Sequence, residues 1–370
     1  MSRRDDSPRR RYEAALAAGH IEADAAQARA VDALDAIHQE LIQAPRPNAG
    51  GGLLRRKRSA ATWPPVQGLY LWGGVGRGKT YLMDTFYAAL PFEQKLRTHF
   101  HRFMLQVHAE RRRFLDEQDP VALIAERIAR ETRVLCFDEF FVSDIADAMI
   151  LGRLTEVLFR EGVTLVTTSN VAPDDLYRDG LQRARFLPSI DRIKNHCQVM
   201  ELASPTDFRL RTLQRVPLYL HPCDDSAMQT LSDEFTELAP AQSTGQVTLT
   251  INGRNVEALG AVDDVVWFSF AELCQTARSA ADYIEIAREY HTVLLSHVPQ
   301  MDGTLEDSAR RFVHLVDEFY DRGVKLVIAA DVALDALYVG KKLTFEFQRT
   351  GSRLFEMQSR EYLAQPHQPT

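Results

Sequence analysis

Cysteine is scarce in this sequence, and its four cysteines lie far apart. They are Cys136, Cys197, Cys223 and Cys274, and no two of them form a CxxC pair. This spacing argues against a disulfide framework or a zinc ribbon, and it fits the reducing cytosol. No stretch approaches the roughly 18 consecutive apolar residues of a membrane-spanning helix, and the polar start, MSRRDDSPRRR, has no apolar signal region. We therefore expect a cytoplasmic protein without a transmembrane segment.

The sequence also has no excess of positive charge. With 44 Lys and Arg against 51 Asp and Glu, the 370 residues carry a formal net charge of −7. This balance disfavours a protein whose whole surface binds nucleic acid, so we do not expect a nucleic-acid partner. One basic cluster, Arg-Arg-Lys-Arg at residues 55–58, lies in a stretch rich in Pro and Gly. We interpret it as part of a solvated linker, with contact to an acidic partner or to lipid headgroups as the alternative.

Changes in composition divide the chain into three parts. Residues 1–62 combine a helical pattern over 12–44 with a loop over 45–62. Residues 63–215 alternate short apolar runs with helical stretches, which predicts a parallel sheet with crossover helices. The strands predicted in this part are Gly68–Trp72, Arg97–Arg102, Val134–Phe137, Val163–Thr168 and Gln198–Leu202.

The third part, residues 216–370, is predicted to form a lid and a C-terminal α/β unit. Asn252-Gly253 is a strong hairpin-turn signal, and it separates the predicted strands Val247–Ile251 and Asn255–Leu259. Three further strands are predicted, at Val265–Phe268, Thr292–Ser296 and Lys325–Ala329. Helical stretches lie between and after them, so the α/β character continues to the end of the chain.

One segment of the chain occurs twice. Residues 162–177, GVTLVTTSNVAPDDLY, align without gaps on residues 323–338, GVKLVIAADVALDALY, and nine of the sixteen positions are identical. The second copy has no glycine-rich phosphate motif and no paired acids. We hypothesise a degenerate second α/β unit. The alternative is the general likeness of strand–turn–helix segments.

A glycine-rich segment matches the phosphate-binding pattern G-x-x-x-x-G-K-[ST]. A chance match in a chain of this length is on the order of one per cent or less. An apolar strand precedes the segment and a helical stretch follows it, as the motif requires. Glycines let backbone N–H groups approach the phosphates, the lysine reaches the β and γ phosphates, and the hydroxyl ligates Mg²⁺. The predicted ATP-binding residues are Gly73, Gly74, Val75, Gly76, Arg77, Gly78, Lys79 and Thr80.

Two acids follow the apolar run Val134–Phe137. Asp138 is expected at the C-terminal end of this strand, where it can hold Mg²⁺ together with Thr80. Glu139 can orient or polarise the attacking water. The next strand ends before Asn170, which we expect beside the γ-phosphate and that water. A helix N-cap is the other interpretation of Asn170. These residues predict a site that hydrolyses ATP as well as binding it.

Arginines after Gly180 are candidates to complete the site of a neighbouring subunit. In AAA+ ATPases an arginine of this region projects into the next nucleotide site and stabilises charge in the transition state. Arg183 and Arg185 are the candidates here, and Arg192 is expected on the following helix surface. A solvated or structural ion pair is the alternative for each of them. The candidates for a nucleotide-sensing arginine in a lid are Arg209, Arg349 and Arg353.

Other groups of polar residues carry weaker signals. His99, His101 and His108 invite a metal interpretation, with His99 and His101 predicted on one face of a strand. No acid or cysteine stands at ligand spacing from them, so ordinary strand and helix positions are preferred. Arg111–Arg113 is interpreted as a solvated helix face, with contact to a substrate in the centre of a ring as the alternative.

The chain resembles the AFG-one-like family of AAA+ ATPases, whose bacterial members are the ZapE cell division ATPases. The resemblance covers roughly residues 10–362 and shows no departure at the ATP site. It implies an AAA+-type P-loop sheet with an N-terminal helical segment and a divergent C-terminal half, and it favours Arg183 over Arg185 as the arginine finger. The segments that carry it are Gly68–Thr80, His99–Met104, Leu135–Phe140, Thr168–Asn170, Gly180–Arg183, Val316–Tyr320 and Phe345–Arg349.

The resemblance also implies a function. The bacterial members act at the FtsZ ring in cytokinesis, from the cytoplasm or the inner-membrane surface. The mitochondrial relatives act in inner-membrane protein quality control. We therefore expect a homo-oligomeric ATPase that uses ATP and Mg²⁺ to remodel a protein partner, FtsZ by resemblance, with peripheral contact to the inner membrane left open.

Three alternatives to this function are weighed. They are a chaperone-like ATPase for membrane proteins, a nucleic-acid AAA+ protein and a small-molecule kinase. The acidity of the chain disfavours the nucleic-acid protein. The kinase gives no reason for Glu139, Asn170 and a finger arginine to occur together.

Overall fold

The chain forms two compact units in a computed structural model, Met1–Thr206 and Asp207–Thr370. The structure describes residues 6–19, 21–44, 63–74, 76–114, 117–142, 144–203, 213, 217–238, 245–262, 264–365 and 367–368. The predicted loop 45–62, with its basic cluster, and the predicted boundary between residues 215 and 216 lie outside them. Within the described ranges, no helix combines the length and the apolar character that a bilayer crossing needs.

The first unit alternates helices and strands after two N-terminal helices. Its elements are α1 (Pro8–Ala17), α2 (Ala25–Gln43), β1 (Gly68–Trp72), α3 (Lys79–Ala89), β2 (Lys95–His99), α4 (Phe100–Arg111), α5 (Pro120–Glu131), β3 (Val134–Asp138), α6 (Ile145–Arg160), β4 (Thr164–Ser169), α7 (Leu187–His196) and β5 (Cys197–Glu201).

The five strands of this unit form one parallel sheet in the order β2-β3-β4-β1-β5. The predicted α/β class is therefore confirmed. Because all the strands run the same way, their carboxyl ends meet at one edge of the sheet. That edge receives the glycine-rich segment after β1, the acids at the end of β3 and Asn170 after β4.

Apolar side chains cover both faces of this sheet. Leu69 and Leu71 of β1 and Cys136 of β3 face the core that includes apolar residues of α1, α2 and α3. Tyr70 and Leu135, at alternate positions, face the core of α4 to α7. Both faces are buried, which explains why these strands have continuous apolar runs in the sequence.

Two predicted elements of this unit have the wrong extent. The strand predicted at Arg97–Arg102 spans Lys95–His99, and α4 begins at Phe100. The reason is a helical recurrence of buried apolar residues, at Phe100, Phe103, Met104 and Val107. His101 therefore lies on a helix and does not share a strand face with His99.

The predicted helix over residues 12–44 is also wrong as a single element, because it consists of α1 and α2. Gly19 follows α1 with a φ of +71°, a left-handed conformation that ends helices. Asp24 then caps α2, since its side chain accepts hydrogen bonds from the backbone N–H groups of Ala26 and Gln27 at 2.7 and 2.9 Å.

The second unit also combines helices and strands. Its elements are β6 (Tyr219–Leu220), α8 (Asp225–Leu238), β7 (Val247–Ile251), β8 (Arg254–Ala258), β9 (Gly260–Val262), β10 (Val265–Ser269), α9 (Ala280–Glu289), β11 (Thr292–Val298), α10 (Glu306–Asp321), β12 (Lys325–Ala330), α11 (Thr344–Glu356) and α12 (Arg360–Leu363).

The main sheet of this unit has the order β6-β12-β11-β10-β9, in which only β9 is antiparallel to its neighbour. The predicted hairpin forms separately from β7 and β8. Its turn residues, Asn252 and Gly253, both have positive φ, at 48° and 73°, as a type I′ turn requires. Apolar residues of α8 pack on one face of the main sheet, and those of α9, α10 and α11 pack on the other.

Candidate nucleotide site

The glycine-rich segment connects β1 to α3 and places the start of that helix at the sheet edge. Gly78 has a φ of +85°, and a Cβ there would lie 2.6 Å from the Nε2 atom of Gln27. Gly73 has a φ of +153°, and its Cβ would lie 2.8 Å from the carbonyl oxygen of Leu202. Only glycine fits both positions, so the backbone itself lines the loop. Val75 lies outside the described residues.

Lys79 is the first residue of α3, and its ammonium group contacts three oxygen atoms. Its Nζ donates to the carbonyl oxygens of Gly73 and Gly74, at 2.8 Å each, and to Oδ1 of Asn170 at 3.0 Å. The structure thus brings together Lys79 and Asn170, between which three strands, β2, β3 and β4, lie in the sequence. Thr80 follows in the first turn of α3, where the helix N-terminus favours anions.

The two acids lie at the end of β3, which β4 separates from β1 in the sheet. Asp138 is buried, and its Oδ2 accepts a hydrogen bond of 2.7 Å from Nε of Arg97. Glu139 is half-buried and has a φ of +53°, which is rare for a residue other than glycine. Its backbone N–H donates to Oγ1 of Thr168 at 3.3 Å, so β4 holds the strained residue in place.

The strand that ends in the two acids also contains a cysteine, and its thiol is not reactive. Cys136 is fully buried, and burial raises the pKa of its thiol well above the usual range. The thiol therefore stays protonated and acts as a small apolar group. The reactive groups at this edge are the carboxylates of the two acids, the Lys79 ammonium and the Thr80 hydroxyl.

Comparison with known proteins shows the family of the chain. A family model described as AFG1-like ATPase matches residues 6–366. The chain belongs to the AFG1-like ATPase family. It is therefore an ATP hydrolase, and ATP is its substrate. The Cell division protein ZapE of Escherichia coli K12 is 50% identical over 368 residues, with 98% of both chains covered. The Lactation elevated protein 1 homolog B of Danio rerio is 39% identical over 354 residues, which cover 83% of this chain and 70% of that protein.

Gln27 of this AFG1-like ATPase contacts the loop but was missed by sequence reasoning. It is buried in the first turn of α2, and its Nε2 donates to the carbonyl oxygen of Arg77 at 3.0 Å. One signal could have found it: Gln27 occupies a position of the apolar face that continues with Ala30, Val31 and Leu34. A polar residue on a buried face needs a partner, and here the partner is the loop backbone.

Arg97 was also missed as a residue of the site. Besides Asp138 it contacts the carboxylate of Asp84 in α3, in an ion pair. The sequence signal is a charged residue in the centre of a strand of a doubly covered sheet, where charges are buried only when paired.

The finger candidates of this AFG1-like ATPase lie in one short turn, residues 183–185. Arg183 is half-buried, and its guanidinium donates to the carbonyl oxygen of Asp174 at 2.5 Å, whereas Arg185 is exposed. Within the described ranges, neither guanidinium forms a hydrogen bond with the loop or the two acids. Arg192 donates to the carbonyl oxygen of Gly152 at 3.0 Å from the first turns of α7.

The remaining candidates are the arginines proposed to sense nucleotide from a lid. Arg209 lies outside the described residues. Arg349 and Arg353 both contact Asp317 on the neighbouring helix of the second unit. Both arginines therefore have ion-pair partners on that helix, and Arg353 also contacts Asp321 there, at 3.5 Å.

His108 and the run Arg111–Arg113 were the weaker candidates in the sequence. Nε2 of His108 lies 2.6 Å from Oδ1 of Asp147. Burial raises the pKa of Asp147, although this hydrogen bond works in the opposite direction. Arg111–Arg113 are exposed at the end of α4 and in the turn after it.

Proposed function

We propose that this AFG1-like ATPase hydrolyses ATP with Mg²⁺ to remodel a protein partner in cell division, with FtsZ as the partner to test first. The main support is the meeting of Lys79, Asn170 and the acids Asp138 and Glu139 at one sheet edge. The role in cell division is supported by the relative of that name in Escherichia coli. We place the protein in the cytoplasm, with peripheral contact to the inner membrane where such a partner assembles.

Magnesium fits the oxygen atoms that this edge offers. Mg²⁺ prefers hard oxygen ligands. Oδ1 of Asp138 is buried and has no hydrogen-bond partner among the described residues, and a cation would compensate such an oxygen. Thr80 supplies a hydroxyl from the first turn of α3. We propose that these two residues hold the ion, which when bound neutralises charge on the β and γ phosphates.

The chain's own groups supply the remaining chemistry. Phosphate oxygens are stronger partners for an ammonium group than peptide carbonyls are. Lys79 would therefore exchange the carbonyl oxygens of Gly73 and Gly74 for the β and γ phosphates. Glu139 would accept a hydrogen bond from the water that attacks the γ-phosphorus, and Asn170 would contact the γ-phosphate from β4. The bond from that phosphorus to the bridging oxygen breaks, which gives ADP and phosphate.

We further propose that the enzyme works as a homo-oligomer and that Arg183, with Arg185 as the alternative, completes a neighbour's site. Both arginines lie at or near the surface on a turn of their own unit. A mixing experiment tests this. An Arg183→Ala protein retains an intact loop, and a Lys79→Ala protein retains Arg183, so a mixed oligomer regains complete sites. We expect partial recovery of hydrolysis on mixing. No recovery, with co-assembly shown by cross-linking, would count against Arg183.

The identity of the partner can be tested with a variant that binds ATP but does not hydrolyse it. A Glu139→Gln protein should hold ATP without turning it over, and it should therefore retain its partner when ATP is present. We expect FtsZ to be recovered with this protein in ATP, and not with a Lys79→Ala, Glu139→Gln double variant. Recovery of unfolded membrane proteins alone would favour the chaperone-like alternative.

A second measurement separates the same alternatives by turnover. FtsZ polymers should raise the ATPase rate of the parent protein. A rate that responds only to membrane protein, or only to DNA, would contradict the proposed cell division role.

A further inference from the structure

The two units share one arrangement of parallel strands. In the first unit the four strands have the order β2-β3-β4-β1, so that β1, the first of them in the sequence, lies beside β4, the last. In the second unit the order is β10-β11-β12-β6, and again the first strand in the sequence, β6, lies beside the last, β12. In each unit the helix after the earliest strand contributes to the core on one face, and the helices between the later strands contribute to the other.

The repeated segment has the same secondary structure in both units. The helices before it, α6 and α10, are both 16 residues long, and the strands β4 and β12 are both 6 residues long. A glycine of positive φ separates helix from strand in each case, Gly162 at 80° and Gly323 at 66°. A short 3₁₀ turn follows each strand at the same distance.

A matching hydrogen bond fixes the earliest strand to this segment. The hydroxyl of Tyr70 donates to the carbonyl oxygen of Val171, and that of Tyr219 donates to the carbonyl oxygen of Val332, at 3.0 Å in both cases. Val171 and Val332 are equivalent residues of the repeat. The two tyrosines also pair with equivalent positions of β4 and β12.

The strained backbone of the catalytic edge is repeated as well. Cys136 and Leu294 pair with equivalent valines of the repeat. The third residue after each of them is Glu139 in the first unit and His297 in the second. Their φ angles are 53° and 58°. Left-handed residues other than glycine are rare, so this coincidence is strong evidence of common descent.

The chemistry of the edge is not repeated. Where the first unit has six loop residues with four glycines, followed by Lys79 and Thr80, the second unit has only His221–Asp224 before α8. This connection contains no glycine or lysine, and Asp224 would repel phosphate. Ser296 stands in the position of Asp138.

We infer that the second unit is a degenerate copy of the ATPase core that has lost its phosphate site, so that each chain binds one nucleotide. The inference extends the proposed function, because it assigns all ATP binding to the first unit. Titration calorimetry of the full chain with ATP and Mg²⁺ should give one site per chain. The Lys79→Ala protein should bind no ATP, and His297→Ala should bind as the parent does.

Two sites per chain would overturn the inference. So would binding that survives Lys79→Ala but is lost in a protein that also carries His297→Ala. A parent protein that binds one ATP but does not hydrolyse it would contradict the proposed function and leave this assignment supported.

A different observation concerns Arg97, in the centre of β2. Its side chain is 18% exposed and lies between two carboxylates, donating from Nε to Oδ2 of Asp138 at 2.7 Å and pairing with Asp84 of α3. The other oxygen of Asp138, Oδ1, has no partner among the residues described. Arg97 thus fixes the rotation of the carboxyl group, with one oxygen bound and the other presented.

The second unit has a contact between the same two strand positions. Trp267 occupies the place of Arg97, since it pairs with Leu294 as Arg97 pairs with Cys136. Its Nε1 donates to Oγ of Ser296, the residue in the place of Asp138, at 3.1 Å. The contact between these two positions therefore occurs in both units, although the residue types differ.

We propose that Arg97 is the positioning residue for Asp138, and that it sets the affinity of the ATP complex for the divalent cation. This proposal rests on the proposed role of Asp138. The affinity for Mn²⁺ in the presence of ATP, measured by electron paramagnetic resonance, should fall about tenfold in Arg97→Gln, as the loss of a charge-assisted hydrogen bond implies. Arg97→Lys keeps the positive charge but cannot contact Asp84 and Asp138 together in the same way. Its Mn²⁺ affinity should therefore lie between those of the parent and of Arg97→Gln.

The controls separate positioning from general damage. ATP binding in EDTA should be unchanged in Arg97→Gln. Arg9→Gln, which removes a half-exposed guanidinium paired with the half-exposed Asp32, should keep the parent's Mn²⁺ affinity. Unchanged Mn²⁺ affinity in a folded Arg97→Gln protein would overturn the proposal. So would an equal loss of ATP affinity in EDTA. A parent protein that binds Mn²⁺ with ATP but does not hydrolyse it would count against the proposed function alone.

Discussion

The contacts of Lys79 connect the glycine-rich loop with Asn170 at the end of β4. Its ammonium is shared between the loop carbonyls and Oδ1 of Asn170. In the proposed mechanism phosphate oxygens replace these partners, which would leave Asn170 beside the γ-phosphate with its amide available. Asn170 should therefore contribute more to turnover than to binding.

This reasoning gives a prediction for Asn170→Ala. We expect the turnover rate to fall about 10-fold to 100-fold, because one preorganised polar contact to the γ-phosphate is lost. The dissociation constant for ATP should change less than about threefold, because the loop and Lys79 remain. Asn195→Ala, at an exposed position of α7, is the matched control. A loss confined to ATP affinity would contradict the role given to Asn170.

Single residues were predictable where a motif fixes their spacing. The P-loop, Asp138 and Glu139 all follow from short sequence patterns. Gln27 and Arg97 do not, because their partners are 50 and 41 residues away and the contacts exist only in the fold. A buried polar residue in an apolar pattern signals that a partner exists, but not which one.

At the scale of elements, α2 supports the phosphate loop as well as covering the sheet. Its apolar face packs in one core with β1 and α3, while Gln27 at its start bonds the loop backbone at Arg77. The helix thereby fixes the loop backbone at Arg77. The sequence predicted the helix but not this contact.

We expect Gln27→Ala to weaken ATP binding about fivefold, since a neutral hydrogen bond contributes about 1 kcal/mol. Equilibrium binding of a fluorescent ATP analogue measures this effect. Gln39→Ala is the control, because Gln39 is an exposed residue of the same helix and its side chain donates to Asp35 of that helix. If Gln27→Ala and Gln39→Ala bind the ATP analogue with equal affinity, the contact of Gln27 with the loop does not contribute to ATP affinity.

The helix α8 of the second unit contains a buried carboxyl group. Glu234 is 2% exposed, and neither of its carboxylate oxygens has a hydrogen-bond partner in the part of the chain described. Burial, with a smaller contribution from Glu237, raises the pKa of Glu234 from its ordinary 4.5 to about 7. The folded state then binds more protons than the unfolded state between these values, so stability falls as the pH rises through this window.

Replacement of this group should therefore stabilise the protein in a pH-dependent way. We expect Glu234→Gln to raise the melting temperature at pH 8, where the parent carries a buried charge, and to change it little at pH 5. Asp233→Asn, at an exposed position of the same helix, is the control and should show no such dependence. An equal effect of Glu234→Gln at both pH values would show that the carboxyl group does not titrate near 7.

Elements of the second unit were less predictable than those of the first. The strands β10, β11 and β12 were found from their apolar runs, but β6 has only two residues and β9 only three. Such short strands have too few residues for periodicity, and they exist because neighbouring strands offer hydrogen bonds. The position of β6 beside β12 completes the strand order that the second unit shares with the first, so this likeness could not be predicted without β6.

At the scale of the whole molecule, the described residues of the two units share one strand order, whereas the glycine-rich segment with Lys79 and the paired acids belong to the first unit. The sequence repeat hinted at this in sixteen residues. The remaining equivalences, such as Glu139 with His297, involve different residue types and are visible only in backbone conformation. Sequence comparison within the chain could not find them, because substitution has removed the shared chemistry and kept the shared geometry.

The central claim is that the edge at Asp138 and Glu139 hydrolyses the ATP held by the loop. Single-turnover hydrolysis by a Glu139→Gln protein, alongside its ATP affinity, tests this claim most directly, with Glu93→Gln at an exposed position as the control. The account predicts ATP affinity close to that of the parent and hydrolysis slower by about 100-fold or more, as loss of a general base implies. Hydrolysis at the parent rate in Glu139→Gln would contradict it.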